Sequence, residues 1–278
     1  MGYDGLRAFV GTLRTGLSSR RGTDVARPVA RLDDRKDAPE HANANRAMFD
    51  RIAPTYDVLN KLMSFGIDRS WRDKAIARIG EPQGAVLDLC AGTLDLSALL
   101  EKAFPAERIV ACDFSAKMLE LGKPKVTRTE RVVGDAMALP FADGEFGAII
   151  CGFGMRNLAD LRAGVREASR VLRPGGTFIT LELFAPKLLR TRALHSAALK
   201  TALPVLGQLI AKDREAYAYL AESMEGFVTR EQYEAVLREE GFDGVVAEDL
   251  TMGVAAIVKG TARAPAKKNG AAFQEAPS

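Results

Sequence analysis

Short apolar runs alternate with helix-forming segments from Gly84 to Phe184, and few architectures satisfy that pattern. "GAVLDLC" reads as a buried strand, followed by a helix from about Asp95 to Phe104. "RIVACD" is a second strand and "SAKMLELGK" a second helix, with Ser115 placed to accept from its first turn as N-cap. "RVVGDA" and "FGAIICGFG" follow as strands, the latter continuous and apolar as a central parallel strand should be. "DLRAGVREASRVLRPGG" predicts a helix closed by Pro-Gly-Gly, leading into the strand "TFITLELF". "GVVAEDL" and "GVAAIVKG" read as two strands joined by a tight turn at Thr251 to Gly253. The fold class is therefore α/β: a mostly parallel sheet, helices on both faces, and an antiparallel edge hairpin.

The 278 residues suffice for one large domain with tails. Residues 1–45 are Arg-, Gly- and Ser-rich and read as a basic, disordered leader, in preference to a short amphipathic helix on Leu6, Phe9, Val10, Leu13 and Leu17. Residues 46–260 form the expected domain, with an N-terminal cap and a helical insertion near 187–228, and 261–278 read as a disordered tail. The net charge of +3 is too small to mark a nucleic-acid binder. No apolar run reaches the roughly 18 residues that span a bilayer. Cys90, Cys112 and Cys151 are odd in number and widely spaced, which suits a reducing compartment, so a cytoplasmic location is expected. His41 and His195 are the only histidines, and no metal site is expected.

In a sheet of this kind ligands bind beyond the carboxyl ends of the strands, where strand order reverses. After the first strand comes Ala91-Gly92-Thr93, small residues that let backbone approach a ligand ahead of a helix N-terminus. The second strand ends in Asp113, where an acidic residue commonly accepts from ribose hydroxyls; capping the next helix is the structural alternative, but Ser115 fills that place better. The third ends in Gly134-Asp135-Ala136, where a second carboxylate meets an adenine amino group, and the fourth in Gly152-Phe153-Gly154-Met155-Arg156-Asn157. The loop after the first strand lacks both G-x-G-x-x-G and a P-loop pattern, so nothing here is built to cradle phosphate. A cofactor with ribose and adenine but no phosphate fits, and S-adenosylmethionine is one.

Six motifs carry a resemblance: "MFDRIAPTYDVLNKLMSFGIDRSW", "LDLCAGTLDL", "GDAMALPFADGEF", "GFGMRNLAD", "RVLRPGGTFITLE" and "AYAYLAESMEGF". In order and spacing, from about Asn45 to Gly260, the chain resembles the ubiquinone/menaquinone biosynthesis C-methyltransferase family. The resemblance implies a Rossmann-like class I methyltransferase with a seven-stranded sheet. It implies that S-adenosylmethionine is held by Gly92, Thr93, Asp113, Asp135, Ala136 and, through backbone, Gly152, with Tyr56 and Asp57 in a segment that folds over it. It implies that the substrate is a demethylated polyprenyl quinol, that Arg156 assists removal of the phenolic proton, and that Asn157 and Met63 lie on the substrate side. Ordinary roles stand beside these: a turn residue for Asn157, core packing for Met63, and pairing with Asp160 for Arg156. Peripheral membrane contact, at the inner face, and a homodimer belong to the same expectation, with the apolar stretch Leu188–Leu209 as a lid over the quinol tail.

Two positions depart from the family. Asp68 stands where many relatives have histidine, which puts a histidine relay there in doubt. Leu94 stands where glycine or alanine is usual, and is expected to turn into the helix–sheet core and leave the loop working. A different phenolic or lipid acceptor, and a non-catalytic cofactor-binding partner, are the alternative functions.

Overall fold

The computed structural model describes residues 38–64, 66–184, 219, 223, 224 and 226–264. The chain enters through α1 (Ala38–Ile52), α2 (Tyr56–Met63) and α3 (Asp68–Ala77). It then alternates: β1 (Val86–Leu89), α4 (Asp95–Ala103), β2 (Ile109–Asp113), α5 (Ala116–Gly122), β3 (Glu130–Val133), β4 (Phe146–Gly152), α6 (Leu161–Val171) and β5 (Leu172–Leu183). Helix α7 (Arg230–Glu239) precedes β6 (Phe242–Leu250) and β7 (Ala255–Ala262).

The strands form one seven-stranded sheet in the order β3-β2-β1-β4-β5-β7-β6. The first five run parallel and β7 lies antiparallel between β5 and β6, as the alternation and the final hairpin predict. Every residue of β1 and β2 is buried, because helices cover both faces. One face packs Val165 and Ala168 of α6 and Tyr233, Val236 and Leu237 of α7 on Leu87, Ile149 and Phe178. The other packs Trp71, Ala75 and Ile76 of α3 and Leu96, Leu99 and Leu100 of α4 on Val86, Ile150 and Leu181.

Three helices start on side-chain caps, of which Ser115 is the one expected from sequence. Ser115 accepts from the Met118 amide to cap α5, Asp160 accepts from Ala163 to cap α6, and Thr229 with Gln232 forms a capping box on α7. Three boundaries differ from expectation. Helix α1 starts at Ala38, inside the stretch read as leader. Helix α6 stops at Val171, and Pro-Gly-Gly lies within β5, in the irregularity that lets Leu172 pair with Phe146 and Thr177 with Ala148. Strand β7 continues to Ala262, because β6 resumes its pairing beyond Gly244 and Val245 and needs those partners. Residues 1–37, the apolar stretch Leu188–Leu209 and the tail from 265 lie outside the described residues. Among the described residues no helix is long and apolar enough to cross a membrane.

Candidate active site

Strand order reverses between β1 and β4, and a pocket opens at their carboxyl ends. Of the residues singled out in the sequence, Gly92, Asp113, Asp135, Ala136, Gly152 and Tyr56, expected on the cofactor, and Asn157, expected on the substrate side, line it. Thr93 and Arg156 do not line it, and the side chain of Met63 lies outside the described residues.

Asp113 is buried at the end of β2, and both its oxygens meet backbone: Oδ2 accepts from the Gly92 amide and Oδ1 from the Ser115 amide, each at 2.8 Å. One carboxylate thus ties the loop after β1 to the start of α5. A carboxylate has about four lone-pair sites, so two remain for a ligand in the pocket. Burial pushes its pKa up to about 6, against the pull of those two amides. Asp135 is exposed, and its Oδ1 closes the following turn on the Met137 amide at 2.8 Å.

The N-terminal helices lie over this edge because their polar side chains fasten to it. Asn45 donates to the Asn157 carbonyl at 3.0 Å, and Ser115 donates to Asp50 at 2.5 Å. The Thr93 hydroxyl donates to Asp57 at 2.5 Å, and Lys125 bridges Asp57 and Asp95. The Phe49 ring meets Tyr56 and Phe114 edge-on at 6.2 and 6.1 Å, forming an aromatic wall.

Leu94 turns into the core, fully buried with Ala111 and Leu119, as the sequence reading expects. Its φ is +66°, so a leucine occupies the left-handed region that favours glycine. Cys90 at φ +55° and Phe153 at +62° share this strain at the same end of the sheet. Glycine is required by space nearby: a Cβ on Gly154 would lie 2.4 Å from that of Cys90, and one on Gly152 2.6 Å from Leu96.

Arg156 is buried and paired with Glu182 at the end of β5, while Asp160 caps α6. Nη1 donates to Glu182 Oε1 at 2.6 Å and to the Phe153 carbonyl at 2.9 Å. Burial works to lower the Arg156 pKa, but the charge and hydrogen bond of Glu182 outweigh it and hold it above the ordinary value. The Nε–H is buried with no partner among the described residues, and so is Asn157 Oδ1. Asp68 accepts from the Ser64 hydroxyl at 2.6 Å and from Arg72 at 3.3 Å, and the Arg72 guanidinium sits 5.5 Å from the Phe153 ring centre.

The chain matches the profile of the ubiE/COQ5 methyltransferase family over residues 37–262. It belongs to that family. Among its relatives, the demethylmenaquinone methyltransferase of Thermotoga maritima is 42% identical over 215 residues, covering 77% of this chain and 93% of its own. The ubiquinone/menaquinone biosynthesis C-methyltransferase UbiE of Geotalea daltonii is 39% identical over 221 residues, covering 77% of this chain and 94% of its own. Solved structures share the fold: a possible histamine N-methyltransferase of Thermotoga maritima at TM-score 0.57 and 15% identity (77% of this chain, 98% of that one), and the [4+2]-cyclase SpnF at 0.59 and 16% (86% and 98%). One is a possible methyltransferase and the other a cyclase, so the fold alone does not name a reaction.

As a member of the ubiE/COQ5 methyltransferase family the chain is an S-adenosylmethionine-dependent C-methyltransferase. The pocket suits that cofactor: carboxylates at the ends of β2 and β3 for hydroxyl and amino groups, apolar walls from Phe114, Met118 and Leu158, and no cationic cradle among its lining residues for phosphate. Sequence reading missed Asn45, Phe49, Lys125 and Glu182. Glu182 had left a signal, a lone acid inside the apolar strand "TFITLELF".

Proposed function

We propose that the acceptor is a demethylated polyprenyl quinol, methylated on a ring carbon in the synthesis of a respiratory quinone. In this reading Asp113 holds the ribose hydroxyls, Asp135 and Ala136 flank the adenine, Gly92 and Gly152 offer backbone, and Thr93 acts through Asp57. When bound, the cofactor supplies an electrophilic sulfonium methyl and its own leaving group. The chain's residues prepare the ring that receives it. Loss of a phenolic proton to water places electron density on the ring carbon, and Arg156 stabilises the phenolate as it forms. Once that carbon carries the methyl group it gives up its own hydrogen to water and the oxygen regains a proton, so the net loss is one proton and the aromatic quinol is restored. A guanidinium with a pKa above about 12 is a poor base but a good preorganised cation. Tyr56 and Tyr219 lie within its electrostatic reach, and Phe153 and Leu158 help exclude water.

The observation that carries this reading is the buried, ionised Arg156 with an unspent Nε–H, next in sequence to Asn157 of the pocket lining. Asn157 Oδ1 would accept from the phenol before ionisation, and Met63 would border the substrate. Peripheral contact with the inner face of the membrane, where a polyprenyl tail resides, belongs to the same reading.

Single-turnover methyl transfer to a short-tailed demethylated quinol tests it. Arg156→Ala is expected to lower kcat on the order of a hundredfold with cofactor affinity unchanged. Lysine in its place restores part of the rate, since it lacks the planar fork. A near-normal rate in Arg156→Ala would remove the assignment. Methyl transfer to an unrelated phenol but not to the quinol would replace the acceptor.

A further inference from the structure

We infer that Glu182 is a positioning residue for methyl transfer: it holds one end of the Arg156 guanidinium so that the Nε edge faces the acceptor's phenolic oxygen. The inference rests on the reading of Arg156 above. A guanidinium carries five donors in one plane, and its usefulness depends on which edge is left over. Here both Nη1 hydrogens are used, one on Glu182 Oε1 and one on the Phe153 carbonyl. The carboxylate that holds it cannot swing, because Oε1 also accepts from the Leu183 amide at 2.8 Å and Oε2 from the Arg156 amide at 3.3 Å. The two side chains are 5% and 1% exposed, so water cannot substitute for either partner.

With the plane and one end fixed, the Nε edge has a single direction. Its hydrogen is the buried donor without a partner, and Asn157 Oδ1 is a buried acceptor without one. The two residues are consecutive and anchored at one point, since Arg156 Nη1 and Asn157 Nδ2 both donate to the Phe153 carbonyl, at 2.9 and 3.2 Å. A phenolic hydroxyl matches the pair: its oxygen accepts from Nε–H and its hydrogen donates to Oδ1. Glu182 also supplies the counter-charge that lets the cation remain buried. Its position follows from the sheet, since Leu181 pairs with Gly152 and the next residue of β5 falls beneath the loop that carries Arg156.

The experiment is a cycle of full-length variants in single-turnover methyl transfer at saturating cofactor, with cofactor affinity and melting measured in parallel. Glu182→Gln keeps an acceptor but removes the charge, and is expected to lower kcat about tenfold with cofactor affinity unchanged. Glu182→Asp, which keeps the charge, should lie between it and the native enzyme. The double variant Arg156→Ala/Glu182→Gln should be no slower than Arg156→Ala, because Glu182 acts only through the arginine. A native rate in Glu182→Gln, or fully additive losses, overturns the inference. If Arg156→Ala is slow while Glu182→Gln is not, only this inference falls; if Arg156→Ala is itself near normal, the functional reading falls with it. Should Glu182→Gln not fold, the native protein decides: the Arg156 Nε–H, assigned in a nitrogen-15 spectrum by its loss in Arg156→Lys, should exchange slowly with solvent, and fast exchange overturns the inference.

Discussion

The Thr93 hydroxyl lies 2.5 Å from Asp57 Oδ1, which joins the loop after β1 to the helix that covers it. Lys125 holds the other oxygen of Asp57 and, at 2.8 Å, Asp95 in the first turn of α4. In the proposed reading, Thr93 acts on the pocket through the placement of α2. Asp57→Ala should release that helix and weaken S-adenosylmethionine binding by about 1–2 kcal/mol, near the low end for hydrogen bonds to a charged group because Lys125 is partly exposed. At saturating cofactor kcat should change little. Calorimetry and saturation kinetics on one variant check this, and a loss of kcat with native affinity would mean that Asp57 serves the chemistry instead.

Asp113 offers a pH test of cofactor binding. Ribose hydroxyls donate best to an ionised carboxylate, and burial sets this one to ionise at about 6. Cofactor affinity in the native enzyme should therefore fall as pH drops through 6. Asp113→Asn should weaken binding by roughly 1.5–3 kcal/mol at neutral pH and lose that pH dependence. Titrations at pH 5 and pH 8 settle it: parallel behaviour of native and variant enzyme would place the ribose elsewhere.

The centre of the sheet is legible because β1, β2 and β4 are buried on both faces and so read as largely apolar runs, as "AIICG" does in β4, whereas the edge strand β3 is mostly exposed and polar. The lining of the pocket was legible for the same reason: residues that end such strands arrive at one edge. What sequence could not show was long-range pairing. Glu182 and Arg156 are 26 positions apart, and only the register of β5 against β4 brings them together, while Asp160, four residues on, looked the natural partner. Local spacing does not show that the Thr93 hydroxyl meets Asp57, 36 positions away, since that contact depends on where the N-terminal helices lie. Leu94 was correctly turned inward, but its left-handed backbone is not encoded in apolarity.

Asp88, at the centre of β1, should make stability depend on pH. Burial pushes its carboxyl up to about 7 from 3.8, against the Ser97 hydrogen bond of 2.6 Å and the charge of Arg72. The folded state thus holds this proton where the unfolded chain has lost it. The stabilisation is complete below about pH 4 and is lost as pH rises through 7, a change on the order of a few kcal/mol. Asn stays neutral at every pH, so Asp88→Asn should gain stability relative to the native protein between pH 5 and pH 8. Asp113 leaves a smaller slope of the same sign in the variant. Denaturant unfolding at both pH values checks it, and equal slopes in the two proteins would show that Asp88 is ionised throughout.

Leu94→Gly sets two terms against each other. The fully buried leucine packs on Ala111 and Leu119, and deleting a buried leucine to alanine costs about 2–5 kcal/mol. The backbone term has the opposite sign to the usual one for glycine. At φ +66° leucine is strained by roughly 1–2 kcal/mol, and glycine relieves that strain while adding freedom to the unfolded chain. The difference leaves the variant less stable by about 1–3 kcal/mol, smaller than for Leu94→Ala, which loses the packing and keeps the left-handed strain. Because the side chain points into the core and is absent from the pocket lining, cofactor affinity should be unchanged in both variants. Melting of the two variants gives the order, and calorimetry gives the affinity. If Leu94→Ala proved the more stable of the pair, the backbone at this position would not be left-handed. A marked gain in affinity in Leu94→Gly would mean that leucine narrows the cofactor loop.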